Sequence, residues 1–87
     1  LGYSGSAGHN PAALKDATYR HRYAQFLGKL KQARAEAGLT QVEVAGRLKR
    51  PQSFVSKIES GERRVDVVEL SELAKLYRKP LDFFVFS

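Results

Sequence analysis

The sequence predicts a compact all-α domain of five helices, on three observations. Apolar residues recur at three- and four-residue steps from Tyr19 onward, residues that start and stop helices punctuate that pattern, and no stretch shows the alternation of a half-buried strand. With 87 residues the chain is long enough for one core and too short for two. An apolar fraction of 43% and a charged fraction of 28% are those of an ordinary folded chain rather than a disordered one.

Residues 1–18 (LGYSGSAGHNPAALKDAT) are rich in Gly, Ser and Ala and lack apolar periodicity. They read as a flexible N-terminal arm, in part an engineered remnant, ahead of a domain over 19–87. The sequence contains no Met, even at position 1, so a processed product, a fragment and an engineered piece are all open readings. A further domain following Ser87 would then be a partner of this one.

From Tyr19 a stripe of Tyr23, Phe26, Leu27, Leu30, Ala33 and Ala37 marks the first helix, which Gly38 should end. Thr40 with Glu43 three residues on is a capping box for a second, short helix, about Gln41 to Leu48, burying Val44, Ala45 and Leu48. After Lys49 and Arg50, Pro51 suits the first position of a third helix, about Pro51 to Ser60, which Gly61 should close. Residues 62–65 form a loop. Asp66 with Glu69 caps a fourth helix carrying Leu70, Leu73, Ala74 and Tyr77 inward. Pro80 opens a last short helix through Phe83 and Phe84, whose rings should complete the core; most of the tail 83–86 reads as core, with Phe86 the exception and a candidate dimer contact.

The third helix carries the chemistry. At about 100° per residue, Phe54, Val55 and Ile58 share one arc, while Gln52, Ser53, Ser56, Lys57 and Ser60 share the opposite one. That outward face offers an amide, hydroxyls and an ammonium without a carboxylate. A solvated helix more often interleaves Glu with Lys, and these groups match the hydrogen-bonding edges of base pairs. Around this helix lie Arg47, Lys49, Arg50, Lys57, Arg63 and Arg64 against Glu59 and Glu62, so four units of the net charge of +6 fall there. Cations at both ends of a reading helix would hold the flanking phosphates and set register. Gln41, at the start of the second helix, would present its amide and a helix N-terminus to a phosphate. A double-stranded DNA partner follows from this distribution, with Gln52, Ser53, Ser56 and Lys57 reading bases and Gln41, Lys49, Arg50, Arg63 and Arg64 contacting phosphates.

Other classes fare worse. The chain has no cysteine, and His9 and His21 alone cannot assemble a Cys/His metal site. No histidine stands at useful spacing from a carboxylate, no Gly-rich phosphate loop occurs, and the serines lack a base, so neither an enzyme nor a cofactor site is expected. No apolar run approaches the roughly 18 residues of a membrane span. A soluble cytoplasmic protein associated with the nucleoid is expected. The rival reading is a protein-interaction module, such as an antitoxin or a scaffold, built on the same fold.

The segments Thr40-Gln41-Val42-Glu43-Val44-Ala45 and Gln52-Ser53-Phe54-Val55-Ser56-Lys57-Ile58-Glu59-Ser60-Gly61-Glu62-Arg63-Arg64 resemble the Cro/repressor (XRE-like) helix-turn-helix family over roughly residues 26–85. The resemblance implies a lambda-repressor-like five-helix domain, a homodimer on a two-fold operator, and transcriptional control, often repression. It implies base reading by Gln52, Ser53, Ser56 and Lys57, phosphate contacts by Gln41, Arg63 and Arg64, and a structural role for Glu59. The family commonly has Gly where this chain has Lys49 and an apolar residue where it has Arg50. That departure predicts a less tight turn, or a left-handed non-glycine residue costing about 1 kcal/mol.

Overall fold

Five helices in chain order, α1 (Ala17–Glu36), α2 (Gln41–Leu48), α3 (Gln52–Ser60), α4 (Val67–Tyr77) and α5 (Asp82–Val85), make up most of residues 17–85, which the computed structural model describes. Residues 1–16 of the expected arm, and Phe86, lie outside the described residues. Helix α1 starts at Ala17, two residues ahead of the apolar stripe, because Ala17 and Thr18 extend the helix without adding to its buried face.

The starts of α2 and α4 follow one design. At Thr40 the hydroxyl accepts from the Glu43 amide at 3.1 Å while the Thr40 amide donates to Glu43 Oε1 at 2.9 Å. Asp66 and Glu69 repeat this exchange at 2.7 and 3.1 Å, so each helix has two of its free donors satisfied. Helix α3 differs: Pro51 is its N-cap residue, with φ −67° and ψ 154°, and the helix proper begins at Gln52. This corrects the expected start at Pro51 by one residue. The Pro51 carbonyl still accepts from the Phe54 amide at 3.0 Å, so the ring's fixed φ guides entry from outside the helix.

Helices α1, α2 and α4 end alike, with a left-handed residue closed by two backbone bonds. Gly38 (φ 72°) does this for α1, Lys49 (φ 58°) for α2 and Arg78 (φ 59°) for α4. At Lys49 the amide reaches the Gly46 carbonyl at 3.2 Å and the Arg50 amide reaches the Ala45 carbonyl at 2.9 Å. The turn between α2 and α3 is therefore fully closed without glycine, and the looser turn expected from the sequence does not occur. The backbone bonds outweigh the left-handed cost at Lys49. Gly61 (φ 86°) ends α3, and a Cβ there would stand 3.1 Å from Leu27 Cδ1 on α1. Glycine thus serves both conformation and close approach at this position.

The core draws on every helix: Leu30 and Ala33 from α1, Val44 and Ala45 from α2, Phe54, Val55 and Ile58 from α3, Leu70, Leu73, Ala74 and Tyr77 from α4, and Phe84 from α5. Small side chains at Ala33, Ala45 and Ala74 let neighbouring helices approach while the larger residues interlock. Helix α1 packs against α3, α4 and α5, and α2 packs against α3. Tyr23, Phe26, Leu27, Leu48 and Phe83 are half-buried. Two residues assigned to the core leave it. Ala37 is exposed, because the helix ends at Glu36 and its periodicity no longer applies, and Val85 is 57% exposed at the end of α5. Among the described residues no helix is long and apolar enough to cross a membrane.

Candidate nucleic-acid interface

Helix α3 sorts its nine residues as the 100° step requires. Phe54, Val55, Ile58 and Glu59 are buried, whereas Gln52, Ser53, Lys57 and Ser60 are exposed and Ser56 is half-buried. Two hydroxyls turn back onto their own helix: Ser56 Oγ donates to the Ser53 carbonyl at 3.3 Å and Ser60 Oγ to the Lys57 carbonyl at 3.2 Å. With its proton engaged, Ser56 has only lone pairs left to offer, while Ser60 Oγ also accepts from the Glu62 amide at 3.4 Å. Gln52, Ser53 and Lys57 supply the more exposed groups. The four residues expected to read bases therefore share one face.

Beneath that face runs a polar chain. Arg34, on α1, donates through Nε to Glu59 Oε2 at 2.7 Å and through Nη2 to Oε1 at 3.1 Å, while its Nη1 reaches the Leu39 carbonyl at 3.0 Å. The paired carboxylate holds the Arg34 guanidinium above its ordinary range, against the opposing effect of burial. Glu59 also accepts from Gln41 Nε2 at 2.9 Å. Gln41 Oε1 in turn lies 3.5 Å from the Gln52 amide nitrogen, a long contact. Glu59 is only 4% exposed, so its charge is tolerable because three donors surround it. One amide hydrogen of Gln41 is committed to Glu59, which leaves a second.

The flanking cations lie against aromatic rings. Arg50 and Arg63 place their guanidinium carbons 4.5 and 4.7 Å from the Phe54 ring centre. Arg64 stands 4.4 Å from the Tyr23 centre and 5.3 Å from that of Tyr19, and its Nη1 donates to the Tyr19 hydroxyl. A guanidinium held against a ring by cation–π attraction still has N–H groups to offer to other acceptors. Arg63 has used more of these groups. It donates to both carboxylate oxygens of Glu69 at 2.9 Å and to the Arg64 carbonyl at 3.1 Å. Three of its five donors are thus held within the protein, and Arg63 staples the α3–α4 loop to the cap of α4. The Arg63 hydrogen bonds hold the Glu69 carboxyl below its ordinary range. Lys49 is exposed at the left-handed position ending α2.

Sequence reading missed two of these features. The first is the Arg34–Glu59–Gln41 chain, for which a signal existed: Arg34 falls four residues after Leu30 in the apolar stripe of α1, and Glu59 beside Val55 on the inner arc of α3. Opposite charges on two inward faces foretell a buried pair. The second is the seat of Arg64 on Tyr19 and Tyr23, residues more than forty positions upstream. No local spacing reports that contact.

The matching family is described as Helix-turn-helix and covers residues 30–84, more than half of the chain. No individual characterised protein and no solved structure gives a significant match. The matched span takes in α2, the closed turn at Lys49, α3 and α4, with the last part of α1 and most of α5. The chain therefore belongs to the XRE-type helix-turn-helix family of DNA-binding transcription regulators.

Proposed function

We propose that the domain is a sequence-specific reader of double-stranded DNA that acts as a homodimeric repressor at the nucleoid, with α3 entering the major groove. The observation that carries this reading is the outward face of α3. Its exposed Gln52, Ser53 and Lys57, with Ser56 beside them, present donors and acceptors at neighbouring turns, while the helix's one carboxylate, Glu59, is turned inward and neutralised. Two copies would place their third helices in successive major grooves about 34 Å apart. Gln52 would pair with an adenine edge and Lys57 with guanine or phosphate; Ser53 and Ser56 would reach the bases between.

Positioning would come from Lys49, Arg50, Arg64 and the remaining amide hydrogen of Gln41. Arg63 would act mainly by holding the loop from which Arg64 projects. Val85 is exposed near the C-terminal end, and an apolar side chain open to solvent beside Phe86 in sequence favours a dimer contact there.

Selection of bound duplexes from a randomised pool at two salt concentrations tests this reading. A short, roughly palindromic motif is expected, with affinity falling steeply as salt rises. Salt-sensitive binding without a motif would reduce the protein to a non-specific binder, and no binding at either salt would favour a protein-interaction module.

A further inference from the structure

Arg64 sits in a cradle built from the part of α1 that precedes the family match. Tyr19, Tyr23 and Phe26 follow one another along one face of α1, with ring centres 6.1 Å apart for the first pair and 5.3 Å for the second. All three lie before residue 30, where the family match begins. Arg64 lies over the Tyr23 and Tyr19 rings and donates to the Tyr19 hydroxyl. Its carbonyl is meanwhile held by Arg63. One side chain in the loop after the reading helix is thus gripped at both its head and its backbone.

We infer that residues 17–29 of α1 form a positioning element for DNA binding, with Tyr19 and Tyr23 holding the Arg64 guanidinium so that its free N–H edge meets a backbone phosphate beside the groove occupied by α3. This rests on the DNA-reading function proposed above. A free arginine on a loop loses much rotamer freedom when it grips a phosphate. The two ring contacts and the Tyr19 hydrogen bond place the guanidinium beforehand while leaving most of its five donors unused. The arrangement also explains the composition of the cradle. Aliphatic residues would cover α1 equally well, but only aromatic faces attract the cation, and only a hydroxyl at Tyr19 can accept from Nη1. The Tyr23 hydroxyl is buried with no hydrogen-bond partner, so at Tyr23 the ring face, rather than the hydroxyl, holds Arg64.

The test measures binding of the whole chain to a labelled duplex carrying the selected motif, across a salt series, with thermal unfolding recorded for every variant. Arg64→Ala should weaken binding and lower the salt slope by about 0.9, the value of one phosphate contact. Tyr23→Leu should weaken binding about three- to tenfold, as expected for loss of a cation–π seat, and should do nothing further in the Arg64→Ala background. Tyr23→Phe, which keeps the ring, should rescue the Tyr23→Leu loss. A Tyr23→Leu loss of equal size with and without Arg64 would mean a merely structural effect, and would overturn the inference. So would full binding by Tyr23→Leu while Arg64→Ala is impaired. If Arg64→Ala changes neither affinity nor slope while Gln52→Ala still alters base preference, the inference is wrong and the DNA reading stands. If the unaltered chain binds no duplex at low salt, the DNA reading itself fails.

Discussion

Arg34 Nε lies 2.7 Å from Glu59 Oε2, joining α1 to α3 through a side chain that is 21% exposed on one side and one that is 5% exposed on the other. Removing one partner of such a pair leaves an uncompensated buried charge, which costs about 3–5 kcal/mol. Arg34→Met should therefore strongly lower the urea midpoint of the domain. Arg34→Met/Glu59→Leu should recover a large part of that loss, since two apolar groups of similar volume no longer strand a charge. A double variant no more stable than Arg34→Met would show that the pair contributes packing that methionine and leucine cannot replace.

The same pair shows what was legible in the sequence. Helix order and both capping boxes follow from local spacing, because Thr40, Asp66 and the glutamates three residues on act within one helical turn. The reading face of α3 follows too, as it needs only the 100° step. The Arg34–Glu59 contact joins residues 25 positions apart, so its partners stand out only as charges on inward arcs. The seat of Arg64 on Tyr19 spans 45 positions and leaves no local trace. The stop at Lys49 was visible as a departure from glycine, but its backbone bonds to Gly46 and Ala45 depend on the packed turn.

Lys49 and Arg78 make a matched comparison for backbone strain. Both are non-glycine residues in left-handed conformation, with φ 58° and 59°. Glycine at either position should stabilise the domain by about 0.5–1 kcal/mol, measured as a shift in denaturation midpoint. Only Lys49→Gly removes a proposed phosphate contact, so it alone should also weaken duplex binding and lower the salt slope. Equal loss of binding in Arg78→Gly would sink the assignment of Lys49.

Gln52 and Lys57 should part company in a specificity profile. Gln52→Ala removes an amide matched to one base edge, so it should cost about 1–3 kcal/mol on the selected motif and relax preference at one position. A uniform loss over all sequences would contradict direct reading by Gln52. Lys57→Ala should reduce the salt slope if the ammonium meets phosphate, and relax one guanine position if it meets a base. Selection repeated with each variant separates these outcomes.

Acid should loosen the α3–α4 loop. The Glu69 carboxyl is held below the ordinary value of 4.5 chiefly by its hydrogen bonds from Arg63, with the Asp66 amide assisting and burial opposing. Glu36 is likewise lowered, by Lys79 first and Gln32 second. A carboxyl with a depressed folded-state pKa binds protons more weakly in the folded chain than in the unfolded one. The stability it contributes is complete above the unfolded value and is lost as pH falls through the folded one. The vulnerable window therefore lies below about pH 4.5. Arg63→Gln should lower stability at neutral pH and flatten its further decline in that window, because Glu69 would then titrate nearly alike in both states. Lys79→Gln should do the same through Glu36 while leaving the α3–α4 loop intact. Hydrogen exchange at the Asp66 amide, which donates to Glu69 Oε1, should accordingly rise in Arg63→Gln and stay unchanged in Lys79→Gln. An acid limb in Arg63→Gln as steep as that of the unaltered chain would remove Glu69 as its source.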